Sequence, residues 1–337
     1  MIASSIAKIR QKQDLTFQEA HEVFCSIARG EVSEQDIEAF LVALADKRES
    51  ADEIAGAAQA MREHLRPIRV DADVVFDTAG TGGDHKGTFN ISTLASFVVA
   101  GAGVVVAKHG NRSVSGCCGS ADLLESLGVN IDVDPCVIEQ CLKDFGFGFL
   151  FAPKLHPAMA HVQPVRRRLK RRTIFNILGP LINPALPTHQ MMGVYDEALL
   201  PIVGQALIRL GIKHAMSVWG EGGYDEVSTT GKTHVCEVKE GHMKQYVLEP
   251  EKFGLARSSA GDLLAADKEA SKHMALNVLK GMEGPPRDVV VFNAGCCLYL
   301  AGKGRTIKEG MQIAQDSIDS GAAIKKLNKL IEATTSL

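Results

Sequence analysis

The chain has 337 residues, which at about 150 residues per domain suggests two domains, or one large and one small. Hydrophobic residues at 45% and charged residues at 23% describe an ordinary globular chain with a sizeable core. A formal net charge of -3 argues against a nucleic-acid binder working by bulk attraction, and 5% aromatics argue against base-stacking platforms.

The first residues, Met-Ile-Ala-Ser-Ser-Ile-Ala-Lys-Ile-Arg, turn charged before a signal core can form. The longest nearly apolar run, Leu94 to Ala107, is too short for a bilayer and is broken by Gly101 and Gly103. The expectation is a cytoplasmic protein with no membrane and no nucleic-acid partner. The eight cysteines agree: none forms C-x-x-C, and most lie in apolar stretches, where a free thiol packs as a small hydrophobe. Cys117-Cys118 and Cys296-Cys297 lack zinc-site spacing, and Cys117-Cys118 is expected to be two free thiols, since a disulfide between neighbours strains the backbone.

The first third is helical in pattern. Phe17, Ala20, Val23, Phe24, Ile27 and Ala28 recur at helical spacing, and Gly30 stands where a C-cap glycine belongs. Ser33 with Asp36 and Ser50 with Glu53 resemble capping boxes for two more helices. Their apolar stripes are Ile37, Phe40, Leu41, Leu44 and then Ile54, Ala58, Met61, Leu65. Pro67 closes this unit. From Val74 onward short β-branched runs alternate with helices. Val74–Phe76, Val104–Ala107, Phe147–Phe151, Met191–Val194, Ala215–Trp219 and Val289–Phe292 read as buried strands. The fold class is therefore α/β: a small N-terminal α-helical domain and a larger domain with a mostly parallel sheet flanked by helices. Residues 227–247 read as a hairpin at a sheet edge. Ligands of such sheets bind beyond the carboxyl ends of the strands.

Four constellations fall there or nearby. Gly80-Thr81-Gly82-Gly83-Asp84 follows the first strand, either as a cradle of backbone N–H groups for phosphate or as a plain tight turn. The helix after it starts near Asn90-Ile91-Ser92-Thr93, whose hydroxyls suit capping, phosphate or metal. Lys108-His109-Gly110-Asn111-Arg112 follows the second strand and offers several donors to an anion; a solvated basic loop is the bland alternative. It runs on through 113–120 into a helix bearing Leu123, Leu124 and Leu127. Two such loops suggest a ligand with phosphates at both ends. Asp225-Glu226, after Gly220, Gly222 and Gly223, suits Mg²⁺, weakly when taken alone. In the basic run 166–172 most side chains are expected on a solvated face, with one arginine free to grip a carboxylate. His85, His109 and His156 read as hydrogen-bonding rather than metal-binding.

In this order, over nearly the whole chain to about Gly302, these residues resemble the anthranilate phosphoribosyltransferases. The anchors are Gly80 to Asp84, Asn90 to Thr93, Lys108 to Arg112, Gly119 to Asp122, Arg172 to Pro184 and Asp225-Glu226. The resemblance implies a helical domain, 1–68, completed by helices around 160–182, hinged to an α/β domain, 69–337, in a homodimer. It implies transfer of a phosphoribosyl group from phosphoribosyl pyrophosphate to anthranilate in tryptophan biosynthesis, with two Mg²⁺ ions per subunit. Gly80, Gly83, Asp84, Thr88, Asn90, Ser92, Thr93 and Lys108 inherit contacts to the donor. Ser92, Asp225 and Glu226 inherit the metal. His109, Gly110, Asn111, Ser120, Arg166, Gly179 and Pro180 complete the substrate-binding set, with Arg166 at anthranilate's carboxylate. Two departures stand out: Cys117-Cys118, where relatives often carry Lys-Ser or similar polar residues, and a variant loop at 219–224.

With no evident nucleophile, direct displacement at the ribose C1 is favoured over a covalent intermediate. Three alternatives remain at this level: a pyrimidine-nucleoside phosphorylase, a non-catalytic nucleic-acid-binding relative using 166–172, and the same chemistry on another aromatic acceptor.

Overall fold

The computed structural model describes residues 2–84, 86–113 and 118–335. Four helices open the chain: α1 (Ile2–Arg10), α2 (Phe17–Ala28), α3 (Glu34–Lys47) and α4 (Ala51–Arg62). Thr16 and Ser50 close full capping boxes with Glu19 and Glu53, and Ser33 caps α3 by accepting from the Asp36 N–H. Each such cap is worth about 1 kcal/mol. Glu53 does more than cap. Fully buried, it also accepts from the Leu15 N–H (2.9 Å) and from Lys47 Nζ (2.9 Å), tying the loop before α2 to the end of α3. Gly30 stands just past the end of α2 at φ +71, the left-handed turn expected of it.

The rest of the chain is β1 (Val75–Gly80), α5 (Ile91–Gly101), β2 (Val105–Gly110), α6 (Ser120–Ser126), α7 (Pro135–Phe145), β3 (Phe147–Phe151) and a single turn, α8 (Ala152–Leu155). Then come α9 (Gln163–Leu169), α10 (Ile174–Leu181), β4 (His189–Gly193), α11 (Leu199–Arg209), β5 (His214–Gly220), β6 (Thr233–Lys239) and β7 (His242–Leu248). Four helices close the chain: α12 (Lys268–Leu279), α13 (Pro285–Leu300), α14 (Ile307–Asp319) and α15 (Ala322–Thr335). The strands form one sheet in the order β3-β2-β1-β4-β5-β6-β7. The first five run parallel, and β6–β7 is the expected antiparallel hairpin at the edge. The chain leaves β1 toward β2 and β3 on one side, then returns through β4 toward β5 on the other. The switch point, where ligands of open α/β sheets bind, thus lies between β1 and β4.

Two large cores flank the sheet. One is built by α5, α13, α14 and α15 against one face. The other joins α2, α3 and α4 to α9, α10 and α11 and the opposite face of β4, β5 and β6. Val165, Ile174, Phe175, Ile177, Leu178 and Leu181 belong to this second core, so the segment after β3 returns to the N-terminal helices. Arg62, at the end of α4, donates from Nε to the Leu181 carbonyl (2.7 Å).

Two expectations are corrected. Val289–Phe292 is not a strand; it lies inside α13, a 16-residue helix that starts on Pro285-Pro286. A helix enclosed on every side loses its polar face, so its short apolar runs carry the same signal as a buried strand. The first two strands also extend further than their β-branched runs, to Gly80 and Gly110. Gly80, Lys108, His109 and Gly110 are therefore strand-end residues rather than loop residues. Among the described residues no helix is long and apolar enough to cross a membrane.

Candidate active site

At the switch point Gly80 of β1 and Gly193 of β4 are paired in register, and the loop after β5 folds over both. Asp225 rests on them: a Cβ on Gly80 would meet Asp225 Oδ2 at 2.3 Å, and a Cβ on Gly193 would meet its main-chain oxygen at 1.6 Å. The Thr81 N–H donates to the Gly193 carbonyl (2.9 Å) and carries the chain across the switch point. Gly82 and Gly83 then take φ +66 and +74, the left-handed conformation that glycine adopts without strain. The Gly82 N–H donates to Asp225 Oδ2 (2.8 Å), and the Gly83 carbonyl accepts from Arg172. The glycine segment is thus held from below by a carboxylate and from outside by a guanidinium, which itself stacks 4.0 Å from the Tyr195 ring centroid. Thr88 is pinned by a bridge to Leu264.

Asp225 and Glu226 keep some surface toward the cleft while their carboxyl groups are enclosed by protein. Burial, then the negative Asp84, pushes the Asp225 carboxyl up to about 7. Burial, then Asp225, pushes Glu226 well above the carboxylate range, with Lys108 and the Ser92 N–H opposing. The Ser92 N–H belongs to the first turn of α5, whose N-cap is Asn90. Asn90 spans two elements: its Nδ2 donates to the Cys118 carbonyl (3.0 Å), and its Oδ1 accepts from Ser271 Oγ (2.9 Å). Thr93 lies deeper, buried, and its hydroxyl has no hydrogen-bond partner among the described residues.

Lys108, 2% exposed, is not part of a solvated loop. Its Nζ donates to the Thr78 carbonyl (2.6 Å), and it faces Asp77 and Glu226 across the sheet. Asp77 is fully buried, and Oδ1 accepts from the His109 N–H (3.2 Å) while Oδ2 is without a partner among the described residues. Burial pushes its carboxyl up to about 6, with Lys108 opposing. Sequence reasoning passed over Asp77, although an acid inside an apolar strand was a signal that could have found it. Asn183 was missed as well; its Nδ2 donates to the Ala107 carbonyl (2.8 Å) and fixes β2 from the α10 side.

The opposite wall is built by α10. His109 Nδ1 lies 3.1 Å from the Gly179 carbonyl and so carries the proton, leaving Nε2 to accept from His156 Nε2 at 3.0 Å. Burial pulls His156 down to about 4, and it pulls His109 down as well, so both rings are neutral at pH 7. Nothing lies within 4 Å of a Cβ built on Gly179, so the cleft is open at that point. Pro180 is buried, and its carbonyl accepts from Gln190 (2.6 Å). Arg166, on the last turn of α9, lies with its guanidinium 5.6 Å from the Phe175 ring centroid, and no carboxylate of the described residues pairs with it. Arg168 and Arg171, by contrast, pair with Glu34, Glu38 and Asp46 on the surface.

Asn111 is exposed, and its carbonyl accepts from Ser120 Oγ (3.3 Å). Gly110 lies so close to Ser120 that a Cβ would fall 2.2 Å from its Oγ. Asp122 holds the flanks of this second small-residue segment, accepting from the Ser113 and Gly119 N–H groups (2.9 Å each). His85 and residues 114–117, including Cys117, lie outside the described residues. Cys118 is half-buried.

A glycine-lined crevice at the switch point of a parallel sheet, walled by a helical lobe and floored by enclosed carboxylates, defines an enzyme that handles a phosphorylated substrate. Residues 72–324 match the Glycosyl transferase family, a/b domain, and residues 3–65 its helical bundle domain. The chain is 50% identical over 335 residues to the anthranilate phosphoribosyltransferase of Anaeromyxobacter sp. (strain K), covering 99% of both. Its fold matches the crystal structure of the Thermus thermophilus enzyme of that name with TM-score 0.93 and 43% identity, over 98% of this chain and 99% of that one. The Saccharomyces cerevisiae enzyme in complex with PRPP and Mg matches with TM-score 0.90 and 29% identity, over 100% and 98%. The chain belongs to the anthranilate phosphoribosyltransferase family.

Proposed function

We propose that this chain transfers the phosphoribosyl group of phosphoribosyl pyrophosphate to the amine of anthranilate, releasing pyrophosphate, as a step of tryptophan biosynthesis. The observation that carries this reading is Asp225-Glu226, enclosed directly above the paired glycines at the ends of β1 and β4. The two carboxyls, with Asp84 beside them, are raised by burial and mutual repulsion, an electrostatic cost that a divalent cation relieves. These residues therefore fit Mg²⁺, with Ser92 as a further oxygen ligand and two ions per subunit. When bound, Mg²⁺ neutralises charge that develops on the departing pyrophosphate.

The chain's own residues do the rest. Gly80, Gly83 and Asp84, with Thr88, Asn90, Thr93 and Lys108, receive the pyrophosphate and ribose end. Residues 110–120, with Gly110 and Ser120, take the 5′-phosphate. Arg166 grips the anthranilate carboxylate bidentately, its positive charge unpaired with any carboxylate of the described residues. His109, Asn111, Gly179 and Pro180 shape the aromatic slot. The C1–oxygen bond breaks as the C1–nitrogen bond forms on the opposite face, and the amine's proton passes to solvent or to the leaving pyrophosphate. Rate enhancement comes from alignment and fixed charge rather than from a covalent nucleophile.

The chain works as two units, 1–68 completed by 160–182 and 69–337, that close on the substrates to exclude water, within a cytoplasmic homodimer. The loss of anthranilate fluorescence tests the reading. It should require phosphoribosyl pyrophosphate and Mg²⁺ and should be abolished by a chelator. A folded, metal-supplied protein that leaves anthranilate unchanged would overturn it.

A further inference from the structure

His21 and Cys25 stand one turn apart on the same face of α2, and Glu63, the C-cap of α4, reaches over to them. Both Glu63 oxygens lie 3.0–3.1 Å from His21 Nε2. Cys25 Sγ lies 3.6 Å from that same nitrogen and 3.9 Å from Glu63 Oε2. None of these residues borders the switch-point cleft. We infer that His21, Cys25 and Glu63 form a binding site for a thiophilic divalent cation of the Zn²⁺ class, pinning α2 to α4.

Two other readings of the cluster fit less well. In a thiol–imidazole relay the acid holds the nitrogen remote from the thiol; here thiol and carboxylate converge on one nitrogen. A plain surface ion pair gives no reason for a buried thiol to join it. Three ligands of a tetrahedral Zn²⁺ site, at bond lengths of about 2.0–2.3 Å, stand about 3.4–3.6 Å apart. The observed separations of 3.0, 3.6 and 3.9 Å bracket that range, within small side-chain rotations. The donor set of sulfur, imidazole nitrogen and one carboxylate suits Zn²⁺ rather than Mg²⁺, which takes oxygen.

The arrangement is fixed before any ion arrives. Gly56 of α4 packs so tightly on α2 that a Cβ there would lie 2.3 Å from the Phe17 carbonyl and 3.0 Å from the His21 N–H nitrogen. Cys25 is 7% exposed, while the His21 and Glu63 side chains are 20% and 44% exposed, so the ion has a way in and room for a water as fourth ligand. Gln59 holds the Glu63 carboxylate from its other side (2.9 Å), an orienting contact of the kind metal ligands carry. On binding, the Cys25 thiol releases its proton to solvent, and thiolate plus carboxylate balance the ion's charge.

The test is titration of the full-length, metal-stripped protein with Co²⁺ as a spectroscopic probe, and with Zn²⁺ by calorimetry. One ion per chain, beyond any taken by Asp225-Glu226, should bind with a sulfur-to-cobalt charge-transfer band and a rise in Tm. Cys25→Ser should remove the band, and His21→Gln and Glu63→Gln should each weaken binding at least tenfold. In the Asp225→Asn/Glu226→Gln background, which removes the cleft carboxylates, the charge-transfer band should persist and one ion per chain should still bind with a rise in Tm. Glu63 is exposed enough that its variant folds whatever its ligand role. No thiolate band in the wild type, a band that survives Cys25→Ser, or an affinity unmoved by Glu63→Gln would each overturn the site.

Discussion

The main-chain oxygen of Asp225 occupies the space that a side chain at position 193 would need: a Cβ on Gly193 falls 1.6 Å from it. The pair is backbone against backbone, so neither partner has a flexible end that can swing aside. Gly193→Ala should therefore push the Asp225-Glu226 loop outward by about an ångström or more. A shift of that size at a reacting centre costs about 10²-fold in kcat/KM, and steady-state kinetics should show it with the fold intact by circular dichroism. Gly80→Ala, which meets the end of the Asp225 side chain instead, should cost less. Equal activity of Gly193→Ala and wild type would remove the proposed role of this close approach.

The carboxylate pair makes a further prediction about pH and metal. Asp225 titrates near 7 in the folded chain, against an ordinary carboxylate value of about 3.9. A raised pKa means that the folded state binds the proton more tightly. The stability it contributes is complete below about pH 4 and is lost as pH rises through about 7. The metal-free protein should thus lose stability on going from pH 5.5 to pH 8, and Mg²⁺ should raise Tm more at pH 8 than at pH 5.5. Thermal melts with Mg²⁺ and with a chelator at the two pH values measure it; equal Mg²⁺ shifts would disprove it. Asp225→Asn/Glu226→Gln should abolish the Mg²⁺ effect and lower activity about 10²–10³-fold.

The arginine run sorts into roles that kinetics can separate. Arg166→Ala should raise KM for anthranilate about 10- to 100-fold, the loss of a charge-assisted bidentate contact, with KM for phosphoribosyl pyrophosphate little changed. Arg168→Ala, which breaks only exposed pairs with Glu34 and Glu38, should change neither constant and cost less than about 1 kcal/mol of stability. An Arg166 variant with wild-type KM for anthranilate would reassign the carboxylate contact.

Glu237 offers a stability test away from the cleft. It accepts from His214 Nε2, Tyr246 Oη and Tyr299 Oη, each at 2.8 Å. Burial alone would raise its carboxyl, but these hydrogen bonds together outweigh burial and hold it below the usual range. The stability it contributes is present above about pH 4.3 and is lost as pH falls through the depressed value. Glu237→Gln should cost about 1–3 kcal/mol at pH 7. The gap to wild type should narrow in acid, as chemical denaturation at pH 7 and below pH 4 would reveal. A gap that stays constant with pH would show that packing, not charge, is lost.

The sequence by itself determined the local features. The caps Ser33/Asp36 and Ser50/Glu53, the glycine after α2, the strand Phe147–Phe151 and the edge hairpin are set by contacts within a few residues, and short-range chemistry is what a sequence displays. The candidate site was legible for a related reason: glycines and charged groups at strand ends have few uses in a packed interior. Tertiary structure decided what depends on distant partners. Val289–Phe292 lies within α13, whose burial on every side left no polar stripe by which the sequence could show a helix. Lys108 is buried because Asp77 and the Thr78 carbonyl lie across the sheet, and Gly193 matters only because Asp225, 32 residues later, folds onto it. The basic run likewise divided into a guanidinium on the glycine loop, surface ion pairs and one arginine without a carboxylate partner among the described residues. Spacing along a chain carries no record of which residue meets which across a sheet; the packing that closes the cleft supplies it.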